Sequence, residues 1–205
     1  MDSSFKPIQI FDFLSDDDCE SLIEYYKKSP KPKRKYDFWK ERVVPCTLVT
    51  SIKIRRLIEE IQYRIIGNTC RSYDEEYLYP DFSNLVYWGS GMELKPHIDN
   101  MHINDPLRKH DTPHRDYSAV ICLNDEYEGG HTIFPQQEVE YSGKKGRLII
   151  FPSGGSHPHG VTEVTSGERY TFSMWMTKKK EKMNCITYGL LVQPGGGFRL
   201  KYKTS

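Results

Sequence analysis

From residue 84 onward, short runs rich in Val, Ile, Tyr, Phe and Trp alternate with Gly, Pro, Asn and Asp turns. No other feature constrains the fold as tightly, because β-branched and aromatic runs bounded by turn residues read as strands. Strands are expected near 84–88, 117–123, 131–134, 138–141, 147–151, 159–164 and 169–176. About seven short strands at this spacing predict a sandwich, jelly roll or small barrel.

The chain before them reads as helical. Ser15 followed by Asp16, Asp17 and Asp18 combines a hydroxyl cap with acids in a positive first turn. Cys19, Leu22, Ile23 and Tyr26 then recur at i, i+3, i+4 and i+7. A second helix is expected from Thr50 or Ser51, with Ile54, Leu57, Ile58, Ile61 and Ile65 as its stripe and Gly67-Asn68 as its stop. Between the two, Lys27–Lys35 holds six basic residues and two prolines and reads as a mobile surface loop. The tail, with Lys178–Lys182 and Gly195–Gly197, reads as a solvated end plus a flexible turn.

At 205 residues, with 14 Tyr, 9 Phe and 3 Trp, the chain has material for one well-packed domain. Lys plus Arg total 29 against 28 Asp plus Glu, so nothing in the net charge favours nucleic acid. Apolar runs are short, Leu148-Ile149-Ile150-Phe151 among the longest, and the MDSSFKPIQIF start lacks a secretory pattern. The 5 cysteines include no C-x-x-C pair. Free thiols in a reducing compartment are expected, which with the other signals places the protein in the cytoplasm with no membrane partner.

The chemistry-bearing residues begin with His97-Ile98-Asp99, after the turn Gly89-Ser90-Gly91. On extended backbone, positions i and i+2 share a face, so an imidazole nitrogen and a carboxylate oxygen point the same way. A third ligand must come from elsewhere, and His159 is the best candidate, with His157 as the alternative. Two histidines and one carboxylate on one face of an octahedron form the triad of non-heme Fe(II) oxygenases, leaving positions free for a cosubstrate and dioxygen.

With these residues in view, the chain resembles the Fe(II)/2-oxoglutarate-dependent dioxygenases, and among them the prolyl 4-hydroxylase-like branch. The resemblance rests on an ordered set of segments covering most of residues 8–177. They are Phe11-Asp12-Phe13-Leu14-Ser15, His97-x-Asp99, Cys122-Leu123-Asn124-Asp125 leading to Gly129-Gly130-His131-Thr132-Ile133-Phe134-Pro135, Gly146-Arg147 through Ser153, and His159 with Arg169 ten positions on. It implies an α+β fold: a double-stranded β-helix (jelly-roll, cupin-like) core with N-terminal helices packed outside. One domain over 1–205 is expected, with a helical lead-in over 1–80, a jelly-roll core over 81–177 and a tail over 178–205.

The resemblance also implies roles. His97, Asp99 and His159 would hold Fe(II), and Arg169 would bind the distal carboxylate of 2-oxoglutarate, assisted by Thr132 and Tyr87. The branch's usual tyrosine lies nine residues before the first histidine, where this chain has Trp88, so Tyr87 would need a bulge at Gly89-Ser90-Gly91 to reach the cosubstrate. His157, Arg115 and Trp175 are expected on the substrate side. The segment 100–116, with His102, His110 and His114, reads as a substrate-side loop in which Arg108, Lys109 and Arg115 touch substrate.

The implied reaction consumes 2-oxoglutarate and O2, gives succinate and CO2, and hydroxylates a prolyl residue of a peptide or protein, with ascorbate as reductant. Four alternatives stay open at this point. One is a hydroxylase of a small molecule or free amino acid. The second is a cupin-like metal protein using His157, His159 and Glu163. A barrel without catalysis is the third, and a nucleic-acid demethylase using Lys27–Lys35 the fourth. Oligomeric state is left open.

Overall fold

The computed structural model describes residues 6–31, 39, 41–105 and 107–184 of the chain. Eleven strands and two α-helices follow one another among these residues: β1 (Ile8–Ile10), α1 (Asp16–Lys28), β2 (Val43–Pro45), α2 (Ile52–Tyr73), β3 (Tyr79–Gly89), β4 (Leu94–His97), β5 (Tyr117–Cys122), β6 (Tyr127–Gly129), β7 (Thr132–Phe134), β8 (Val139–Tyr141), β9 (Leu148–Pro152), β10 (His159–Val161) and β11 (Val164–Thr177). The larger sheet runs β1-β9-β5-β11-β3-β2, with β6 paired to the start of β11, and the smaller runs β4-β10-β7-β8. The ladders are antiparallel. The result is the expected α+β architecture, a jelly-roll core with helices on one side.

Both helices start where their caps predict. Ser15 Oγ accepts from the Asp18 N–H at 3.2 Å, and Ser51 Oγ accepts from the Ile54 N–H at 3.4 Å. The second helix does not stop at Gly67-Asn68; it continues to Tyr73 and ends on Asp74 in the left-handed region at φ 54°. Gly67 is buried, and packing of the buried Ile65, Ile66, Thr69 and Cys70 around it carries the helix past the glycine. Cys19, Leu22, Ile54, Ile58, Ile61 and Ile65 pack against the outer face of the large sheet, joining Leu85, Ile121, Tyr170, Phe172 and Met174. Burying a Leu, Ile or Phe side chain contributes about 1.5–3 kcal/mol each, so this layer holds α1 and α2 to the sheet.

Strand alternation then decides what faces inward. The even residues of β3, from Phe82 to Trp88, and the odd residues of β11, from Arg169 to Trp175, line the space between the two sheets. β4 was not expected, because Leu94-Lys95-Pro96-His97 has a proline in a four-residue run. As the edge of its sheet it tolerates the missing donor. Strands β1, β2 and β6, three residues each, also escaped the sequence pattern.

The described part of the basic segment Lys27–Lys35 is tied down: Lys27 pairs with Glu168 at 3.3 Å, and Lys31 lies 4.0 Å from the centre of the Tyr26 ring. Residues 32–35 and the glycines at 195–197 lie outside the described residues. In the tail, Lys178 reaches Glu75 at 2.6 Å. No described helix is long and apolar enough to cross a membrane.

Candidate metal centre

The pairing of β4 with β10 sets His97 directly opposite His159. Their rings lie 4.4 Å apart, and Asp99, just past β4, places its two oxygens 3.6 Å from His97 Nε2 and 3.5 Å from His159 Nε2. The three ligand atoms fall within 4.8 Å of one another, and this is the one His/Cys/Asp/Glu cluster of metal-binding geometry among the described residues.

Backbone carbonyls orient both imidazoles. His97 Nδ1 faces Lys95 O at 3.3 Å and His159 Nδ1 faces His157 O at 3.1 Å, carbonyl contacts that would hold the proton on Nδ1 and leave Nε2 to a metal. Ser118 Oγ donates to Asp99 Oδ2 at 2.6 Å and meets Ser153 Oγ at 2.6 Å. Burial pushes the Asp99 carboxyl up, but His159, His97 and the Ser118 hydroxyl together hold it well below the usual carboxylate range. Burial pushes His159 down to about 4 against the pull of Asp99. At neutral pH Asp99 is therefore a carboxylate and His159 a neutral imidazole, donors that suit a divalent iron.

The cluster opens on a cavity of about 330 Å³. Arg169, Thr171, Ser173 and Trp175 line it along β11. At about 3.3 Å per residue, that inward row extends roughly 20 Å, room for more than a small dicarboxylate. Arg169 is 2% exposed and donates from Nη2 to Thr132 Oγ1 at 3.2 Å. Its Nε is buried without a hydrogen-bond partner, and no carboxylate stands at ion-pair distance from it among the described residues. A desolvated guanidinium without a counter-ion is a receptor for an anion. Gly130, at φ +60°, makes room for it, since a Cβ there would sit 3.0 Å from Arg169 Cδ. Apolar rings close the metal side: Phe151 lies 4.5 Å from the His159 ring and Phe134 5.9 Å.

The remaining expected site residues divide. Arg115 and Trp175 line the same cavity; the Arg115 guanidinium lies 4.1 Å from the centre of the Trp175 ring, and its Nε bonds Asp81 at 2.9 Å. The segment 100–116 is tied to the site, because Thr112 Oγ1 donates to Asp99 O at 2.8 Å and Asn100 to Arg115 O at 2.9 Å.

Tyr87 does not join them. No bulge shifts the register at Gly89: Tyr87 opposes Tyr170 and Trp88 opposes Arg169. Tyr87 therefore turns to the outer face, where it stacks with Tyr26 at 6.2 Å and Tyr170 at 5.5 Å. Trp88 takes the inward place and donates Nε1 to Thr171 Oγ1 at 3.4 Å.

His157 is likewise not on the cavity wall. It sits in a turn closed by its N–H to Gly154 O at 3.0 Å, ahead of β10, and bonds Ser156 Oγ at 2.9 Å. Glu163 is exposed in the short break between β10 and β11, so the cupin-like set of His157, His159 and Glu163 is not assembled.

Ser118, Ser153, Trp39 and Phe151 escaped the sequence reading. Of these, Ser118 carried a signal, as a hydroxyl at an inward position of the otherwise apolar β5.

A jelly roll that gathers two histidines, an aspartate and a buried arginine around one cavity has the donor set of a mononuclear iron site beside a receptor for an anion. Comparison with known proteins sharpens this. Residues 82–177 match the model of the 2OG-Fe(II) oxygenase superfamily, just under half of the chain.

Among curated proteins, a 68-residue stretch is 44% identical to prolyl 3-hydroxylase 2 of Rattus norvegicus and of Homo sapiens, covering 31% of this chain and 10% of theirs. The matched stretch thus spans about a tenth of those relatives. Among solved structures, the viral collagen prolyl hydroxylase of Paramecium Bursaria Chlorella virus-1 aligns with TM-score 0.65 at 19% identity, over 85% of this chain and 90% of that one. A Pseudomonas putida prolyl-4-hydroxylase aligns with TM-score 0.60 at 19% identity, over 84% and 92%. At such identity these two structures speak to fold alone.

Proposed function

We propose that this chain is an Fe(II)- and 2-oxoglutarate-dependent dioxygenase that hydroxylates a prolyl residue in a peptide or protein, releasing succinate and CO2. The observation that carries the reading is the His97, Asp99 and His159 cluster sharing one cavity with the buried, carboxylate-free Arg169.

Each residue has a defined task. His97 and His159 bind iron through Nε2, and Asp99 arrives ionised, so it sheds no proton on binding. Arg169 and the Thr132 hydroxyl hold the distal carboxylate of 2-oxoglutarate through charge-assisted hydrogen bonds, fixing the end of the cosubstrate remote from the metal. Phe151, Phe134 and Val161 keep water from the metal side, which strengthens every polar contact inside. Bound iron supplies the activation of dioxygen that couples decarboxylation of 2-oxoglutarate to substrate oxidation. Arg115 and Trp175 form the wall against which an extended peptide is held, and a proline ring packs well on an indole face. Ascorbate serves as reductant and the cytoplasm as compartment.

The prolyl assignment draws on relatives named prolyl 3-hydroxylase 2, which are 44% identical to this chain over 68 residues. The test is incubation with proline-containing peptides, Fe(II), 2-oxoglutarate and ascorbate under air. A gain of one oxygen on proline, matched by succinate, is expected, and amino-acid analysis distinguishes 3- from 4-hydroxyproline. Succinate formed only with free amino acids or other small molecules would overturn the peptide assignment.

A further inference from the structure

We propose that Arg42 is a second cationic positioning residue for the distal carboxylate of the cosubstrate, acting on Arg169 through the indole of Trp88. The inference rests on the 2-oxoglutarate reading of the site. Arg42 precedes β2, and its carbonyl accepts the Tyr87 N–H at 2.9 Å, which fixes its backbone beside β3. Its guanidinium lies 4.7 Å from the centre of the Trp88 ring and 5.8 Å from that of Trp39. Arg169, directly opposite Trp88 across the ladder, lies 5.3 Å from the same indole. Trp39 meets Trp88 edge-on at 6.0 Å.

Both cations are buried, Arg42 at 7% and Arg169 at 2% exposure, and Trp88 between them is at 4%. A desolvated cation over an indole is attracted to its face, and one indole here serves two cations. The like charges also repel in a medium of low dielectric, and that repulsion is relieved when an anion enters beside Arg169. Trp88 has its one donor committed to Thr171 and offers no hydroxyl to a ligand. The cavity thus holds its anion by guanidinium charge, with the indole keeping both groups in place. Arg42 does not itself line the cavity, whereas Trp39, Trp88 and Trp175, all 3 tryptophans of the chain, do.

The test is calorimetric binding of 2-oxoglutarate, and of the monoanion 2-oxobutyrate, to Mn(II)-loaded protein. Arg42→Met is expected to raise the Kd for 2-oxoglutarate about five- to tenfold while changing that for 2-oxobutyrate less than twofold. Arg42→Lys, which keeps the charge, is expected to stay within about threefold of the parent. Trp88→Leu should resemble Arg42→Met, and the double variant should be no worse than the weaker single one, because the two act as a unit. Melting temperatures of the unliganded variants report folding. Arg42→Met binding 2-oxoglutarate like the parent, or losing both ligands equally, overturns the proposal alone. Parent protein that binds no 2-oxoglutarate overturns the underlying reading along with it.

Discussion

Ser118→Ala is the perturbation that isolates how the carboxylate of the metal cluster is held. The Ser118 hydroxyl donates to Asp99 Oδ2 at 2.6 Å between two residues that are 2% and 7% exposed. A hydrogen bond to a buried charged group contributes about 1.5–3 kcal/mol. At 1.4 kcal/mol per decade this corresponds to about 10- to 100-fold in metal affinity, the range observed when the groups that orient metal ligands are removed. The loss acts through the carboxylate's orientation: against the upward push of burial, His159 and His97 still hold Asp99 low, so it stays ionised at neutral pH. The assay is calorimetric titration of the metal-free protein with Mn(II) at neutral pH, with the melting temperature measured alongside. Ser153→Ala serves as a graded control, because Ser153 meets Ser118 at 2.6 Å and touches Asp99 only through it, so a smaller loss is expected. A Ser118→Ala protein that folds like the parent and binds Mn(II) within twofold of it would refute the reasoning.

Other expectations follow from the same geometry. Arg169→Met should weaken 2-oxoglutarate binding by about a hundredfold or more, since two charge-assisted hydrogen bonds at about 1.5–3 kcal/mol each are lost, and Arg169→Lys should fall between it and the parent; calorimetry on Mn(II)-loaded protein reads both. Phe172→Ala, at a fully buried position between the large sheet and the helices, should cost about 3–5 kcal/mol of stability, seen as a lower urea midpoint with an unchanged m-value. Burial pushes the thiols of Cys19 and Cys46 up to about 11 and about 12. Neither should react with a thiol reagent at neutral pH in the native protein, and labelling should accelerate as pH rises toward those values; rapid modification of Cys46 mapped by mass spectrometry would contradict this.

Much of this was legible in the residues, for physical reasons. Hydroxyl caps at Ser15 and Ser51, and apolar stripes at helical spacing, announced both helices, and strands longer than four residues showed their β-branched texture. His97 and Asp99 could be read because period-2 alternation puts i and i+2 on one face, and Arg169 because its offset from His159 fits a known pattern.

What stayed hidden depended on contacts across sheets. Nothing local distinguishes a tyrosine facing the cavity from one facing the helices; the regular Tyr87–Tyr170 pairing settles it, sending Tyr87 outward and Trp88 inward. His157 and His159 share an i, i+2 spacing like His97 and Asp99, yet the turn closed on Gly154 removes His157 from the strand and breaks the alternation. Gly67 reads as a helix stop, but the tertiary burial of Ile65, Ile66, Thr69 and Cys70 around it carries the helix through.

The most direct test of the central claim is anomalous diffraction at the iron edge from crystals grown without oxygen in the presence of Fe(II) and 2-oxoglutarate. One iron peak bounded by His97 Nε2, Asp99 and His159 Nε2, with the cosubstrate's distal carboxylate against Arg169, is the predicted result. A peak ligated by His157 or Glu163, or no iron at the His97, Asp99 and His159 cluster, would contradict the account.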